Sequence, residues 1–166
     1  MRQSGGGSAA RAGGTPQQAT PKDIARFLIH LKPLVARAIE VRQSWIRELS
    51  ALDAEVKTGS AAQVTARAGR LGREHVTSFR EIRSSTERHQ APEGCQEINR
   101  IVFAWLDSLV KACDALVEVG STGQMAGLKI VQQHVSDARA SARRFNSEYQ
   151  RLISELNVAV RAARRR

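Results

Sequence analysis

Proline is scarce in this chain, with 4 among 166 residues, and aromatic side chains make up only 4% of it. Strands lean on aromatic and β-branched residues, so an all-β protein is close to excluded. Two cysteines are too few for a disulfide framework. Placed on one helix, Cys95 and Cys113 would stand about 27 Å apart, whereas a bridge needs Cα atoms within about 7 Å. The longest unbroken apolar run, Ile101 to Leu106, falls far short of a membrane span of roughly 18 residues. The opening Met1-Arg-Gln-Ser-Gly-Gly-Gly-Ser8 also lacks the apolar region of a signal peptide, so a cytoplasmic location is expected.

Reactive motifs are missing as well. The sequence contains no phosphate loop, no dinucleotide-binding glycine pattern and no nucleophile elbow. Di-iron bundles place Glu-x-x-His pairs in the core, and no acidic residue here precedes a histidine at that spacing. His30, His75, His89 and His134 are scattered, and two distant cysteines make no zinc pattern. No cofactor, catalytic residue or metal ligand is therefore expected from motifs, and only a metal site assembled in three dimensions escapes this reading.

What remains is 42% apolar and 25% charged, with 26 Lys and Arg against 16 Asp and Glu, a formal charge of +10 and a pI near 10.9. The length suits one domain, which buries roughly two thirds of its unfolded surface. The charge is uneven. Residues 92–121 are acidic, with Glu93, Glu97, Asp107, Asp114 and Glu118 against Arg100 and Lys111, while Arg161, Arg164, Arg165 and Arg166 form the one dense basic cluster.

Residues 1–19 carry no large apolar side chain after Met1, and such a segment cannot offset the entropy of ordering it. A disordered leader is expected there, a four-helix body over 20–162 and a basic tail over 163–166. Thr20-Pro21-Lys22-Asp23 supplies an N-cap, a proline suited to the first turn and an acid at the positive helix end. The apolar line from it runs Ile24, Leu28, Leu31, Val35, Ala38, then Trp45, Leu49, Leu52 and Val56, with Pro33 expected to kink or divide the helix. Cys95, Ile98, Val102, Trp105, Leu109, Ala112 and Leu116 form a heptad seam. Leu128, Val131, Val135, Ala138, Ala142, Phe145, Tyr149, Leu152 and Leu156 form another. The line Val64, Ala68, Leu71, His75, Phe79 and Ile82 is weaker, so the second helix should be the most loosely packed.

Gly59-Ser-Ala-Ala-Gln63 and Gly120-Ser-Thr-Gly-Gln124 share the form G-S-x-x-Q. Each reads as a left-handed glycine ending one helix, followed by a serine and a glutamine that form the capping box of the next. So short a join forces antiparallel neighbours. The expected fold is all-α, an up-down-up-down four-helix bundle of two helical hairpins, with helices near 21–57, 60–88, 92–119 and 122–162. The matched Trp45 and Trp105 ahead of the two corners suggest an internal duplication, although capping alone could produce the same corners.

Single residues admit two readings each. His75 on the second seam is a pH-sensitive group or base, or a boundary residue whose ring packs while a nitrogen bonds backbone or water. Cys95 and Cys113 suit an intermolecular disulfide or act as inert core filler. Trp45 and Trp105 line a ligand cavity or anchor the core. The arginines of the second helix, Arg67, Arg70, Arg73, Arg80, Arg83 and Arg88, and Arg139, Arg143, Arg144 and Arg151 of the fourth, track phosphates or form solvated mixed-charge faces. The functional expectation is a noncatalytic scaffold or protein–protein interaction module with a protein partner or a second copy. The alternative is nonspecific binding of nucleic acid or an anionic surface through Arg161, Arg164, Arg165 and Arg166.

Overall fold

Thr20 opens the first helix. Its backbone is extended, its side chain accepts from the Asp23 amide, and the Asp23 carboxylate accepts from the Thr20 amide, so two amides without helical partners are satisfied reciprocally. The computed structural model describes residues 18–166, and the expected leader lies almost wholly outside them. Four α-helices follow: α1 Pro21–Val56, α2 Ala61–Arg88, α3 Gln96–Thr122 and α4 Leu128–Arg164, with a 3-10 turn, Met125–Gly127, before α4. There is no strand among the described residues.

The helices form the expected bundle. Side-chain pairs set the antiparallel order: Glu55 of α1 meets Arg67 of α2, and Trp45 stands edge-on to Phe79 with ring centres 5.9 Å apart. Between α2 and α3, Arg83 reaches Asp107 at 2.7 Å and Arg80 reaches Asp114 at 2.6 Å, while Arg144 of α4 reaches Glu97 of α3 at 2.9 Å. The α1–α2 turn, the α3–α4 turn and the ends they join therefore gather at one pole of the bundle. The 89–95 connection lies at the other pole.

α3 is the spine. All seven residues of its predicted seam are buried, together with Ile101, Leu106, Val110, Cys113 and Val119. It packs extensively on α2 and α4, whereas α1 leans mainly on α2 and touches α4 sparsely. α1 runs unbroken through Pro33, so the expected division does not occur.

Two further expectations are corrected. The first G-S-x-x-Q builds its capping box at Ser60 and Gln63, but α1 closes at Lys57 in right-handed geometry and Gly59 takes no left-handed conformation. The second motif builds no box. α3 continues through Gly120, Ser121 and Thr122, and Gly123 closes it with φ 69°. The Ser121 hydroxyl donates back to the Glu118 carbonyl instead of capping α4. Gly120 serves the packing of α3 instead, because it faces Gly69 of α2 so closely that a Cβ on Gly120 would overlap the Gly69 Cα. Gly72 similarly abuts the Cys113 carbonyl, at 2.5 Å from where its Cβ would sit. α2 is accordingly not the loosest helix, because its glycines bring it backbone to backbone with α3.

Candidate functional site

The sparse α1–α4 contact leaves a groove at the pole that holds the two turns. Ile46, Leu49 and Val56 of α1 and Met125 and Leu128 on the α4 side line it together with the buried Leu52, Val131 and Val135, and Ser50 and Gln132 add polar groups. The space is about 860 Å³. Residues 46–56 and 125–139 span the groove, roughly 15 Å along each helix, the length of about three turns. Lys129 and Arg139 stand on the α4 rim, with Asp53 opposite. The sequence pattern placed Leu49, Leu52, Val56, Leu128, Val131 and Val135 on apolar seams but neither Ile46 nor Met125; it did not reveal that α1 and α4 part here, because the separation of two helices distant in sequence leaves no local mark.

Of the arginines singled out by the sequence, some sit in ion pairs, four cluster at the C-terminal end of α4, and Arg70, Arg73, Arg88, Arg139 and Arg143 are exposed with no ion pair among the described residues. Arg80 and Arg83 are held by the acidic face of α3, Arg83 also lying 5.9 Å from the centre of the Phe103 ring. Arg37 pairs with Glu81, Arg67 with Glu55, Arg144 with Glu97, and Arg151 with Glu148 and Glu155. The acidic segment 92–121 thus meets basic neighbours within the molecule. By contrast, Arg161, Arg164, Arg165 and Arg166 are exposed, and no acidic partner lies against them among the described residues. α4 runs as far as Arg164, so only Arg165 and Arg166 extend past the helix.

Trp45 is fully buried and Trp105 is 6% exposed, both in the core, and neither indole nitrogen has a hydrogen-bond partner. Cys95 lies at the N-cap of α3 and Cys113 well inside that helix; both are buried and free. Burial pushes the Cys95 thiol up to about 11 and the Cys113 thiol up to about 12, which keeps them protonated and poorly nucleophilic near neutral pH. His75 sits at the core boundary, its Nδ1 bonded to the Leu71 carbonyl at 3.0 Å. Its Nε2 faces Glu48 of α1 at 3.8 Å.

No family model, curated protein or solved structure matches the chain. No helix among the described residues is long and apolar enough to cross a membrane. The groove and the basic terminus therefore stand on their own chemistry.

Proposed function

We propose that the protein is a noncatalytic helical interaction module whose α1–α4 groove receives an amphipathic helix from an acidic protein partner. The single observation that carries this reading is the opening itself: apolar walls of about three turns between two helices that otherwise belong to one bundle. A visiting helix with apolar residues at i, i+3, i+4 and i+7 would complete the missing layer. Its acidic flank would face Lys129 and Arg139, in the field of a molecule carrying +10. A cytoplasmic setting belongs to the same proposal, as two unbridged thiols suit a reducing compartment.

A synthetic amphipathic peptide with a leucine stripe and glutamates elsewhere tests it. Titration into labelled protein should give saturable amide shifts confined to residues 46–56 and 125–139, and Leu49→Glu or Leu128→Glu should abolish them. Absence of saturation, or binding indifferent to both substitutions, overturns the reading. Sedimentation should show a monomer that binds peptide; a dimer whose formation excludes the peptide would replace the foreign partner with a second copy.

The four terminal arginines favour a second reading, polyanion binding. Arg161 and Arg164 also complement the negative end of α4, a local role that needs no ligand. A salt series with duplex DNA and anionic vesicles, comparing the full chain with one ending at Val160, separates the two roles. Salt-sensitive binding lost on truncation supports polyanion recognition, and its absence leaves the arginines as helix-end charges.

A further inference from the structure

Across the α1–α2 interface, Glu48, Glu74 and His75 bring one ligand atom each to a single point, all three atoms lying within 4.8 Å of one another. We propose that this cluster is a binding site for a first-row divalent cation such as zinc, joining α1 to α2.

Three observations converge. The His75 side chain is only 12% exposed, and its bond from Nδ1 to the Leu71 carbonyl fixes the tautomer that leaves an Nε2 lone pair directed away from its own helix. Metal-bound histidines are oriented by this kind of backbone bond. The carboxylates of Glu48 and Glu74 approach each other although like charges repel, and neither has an Arg or Lys partner among the described residues. Half of the chain's 16 acids, Glu55, Asp107 and Glu148 among them, do pair with an arginine or lysine, and what sets Glu48 and Glu74 apart from the rest is that they face each other beside an imidazole. A protonated His75 would answer one carboxylate, whereas a divalent cation answers both.

The distances fit. Zinc binds imidazole nitrogen and carboxylate oxygen at about 2.0–2.2 Å, which in tetrahedral geometry separates two ligand atoms by about 3.4 Å. The His75 Nε2 to Glu48 Oε1 distance of 3.8 Å needs a closure of a few tenths of an ångström, and exposed Glu74 is free to swing in. One imidazole and two carboxylates match zinc, cobalt(II) or manganese(II) better than calcium or magnesium, which prefer all-oxygen shells. Water would take the remaining position. The pattern escapes the sequence because Glu48 lies on a different helix, and only the register of the hairpin brings it opposite His75.

The full chain, stripped with chelator, is titrated with Zn²⁺ by calorimetry and with Co²⁺ by visible absorption. The expected result is one ion per chain, a cobalt spectrum with nitrogen and oxygen ligands, and a rise in thermal midpoint on loading. His75→Gln and Glu48→Gln should each weaken binding at least tenfold, and Glu74→Gln more mildly. Circular dichroism without metal checks that these variants fold. His30 and His89 lie close together elsewhere in the bundle, with ring centres 5.5 Å apart, so His89→Gln serves as the control and should leave binding unchanged. Failure of the wild-type chain to bind, or binding lost with His89→Gln and kept in folded His75→Gln, overturns the proposal.

Discussion

Gly120 of α3 and Gly69 of α2 meet at van der Waals contact of their backbones, leaving no room for a methyl group on either. Gly120→Ala and Gly69→Ala should each destabilise the fold by about 1–3 kcal/mol through overpacking. Gly123→Ala acts differently, straining a backbone at φ 69° with nothing within 4 Å of its would-be Cβ, and should cost about 1–2 kcal/mol. Urea denaturation reads all three. A neutral Gly120→Ala would show that the helices are not so close.

The two look-alike corners should respond unequally to the same substitution. Ser60→Ala removes a capping box and should cost about 1 kcal/mol, whereas Ser121→Ala removes only a hydroxyl bonded inside α3 and should stay within about 0.5 kcal/mol of wild type. Equal losses in chemical denaturation would restore the symmetric reading of the corners.

Asp107 is shared by Arg83 of α2, at 2.7 Å, and Lys111 of its own helix, at 2.9 Å. Both members of the inter-helix pair are about a quarter exposed, so solvent weakens the attraction. A double-mutant cycle of Arg83→Gln and Asp107→Asn should give a coupling of about 0.5–1 kcal/mol that shrinks in high salt.

The thiols provide a pH test. Their protons are held more tightly in the folded chain than in the unfolded one, where the ordinary value is 9.0. Stability from this source is complete below about pH 9, because both states are then protonated, and is lost as pH rises towards 11 and 12. Cys113→Ala should flatten part of that alkaline decline. At pH 8 an aromatic disulfide reagent should react with neither thiol until denaturant is added.

At the acid end, Asp23 carries the opposite sign. The hydrogen bond from the Thr20 side chain, and then that from the Thr20 backbone, holds its carboxyl below the usual value of 3.8. The stabilisation is present at neutral pH and disappears as pH falls below about 4, through the depressed folded value. Carbon-detected titration should place Asp23 below 3.8, and Thr20→Val should bring it back up.

Much of the fold was legible because its determinants are local. Thr20 and Asp23, or Ser60 and Gln63, complete a cap within four residues, and the seam from Cys95 to Leu116 repeats an apolar side chain at every turn of one helix. The misreadings arose where a residue answers to a distant neighbour. A glycine near a helix end serves either a left-handed stop or a close approach, and what assigns Gly120 to the second use is Gly69, half the bundle away in sequence. Gly69 and Gly72 also add nothing to an apolar pattern, which made the tightest interface look weak. The groove and the Glu48–His75 approach were hidden likewise, since the first depends on how α1 lies against α4, distant in sequence, and the second on the register in which α1 packs on α2. His75 itself was visible as the odd polar member of its line, and its partner on α1 was not.

The slender contact between α1 and α4 also sets an order of disassembly. α1 is fastened along one flank to α2, while α2, α3 and α4 overlap in series with α3 between the other two. A molecule so joined comes apart from its first helix, which can peel away about the 57–60 turn without disturbing the α2–α3 backbone contact. The amides of α1 should therefore be the earliest helical ones to exchange with deuterium, ahead of those in α3.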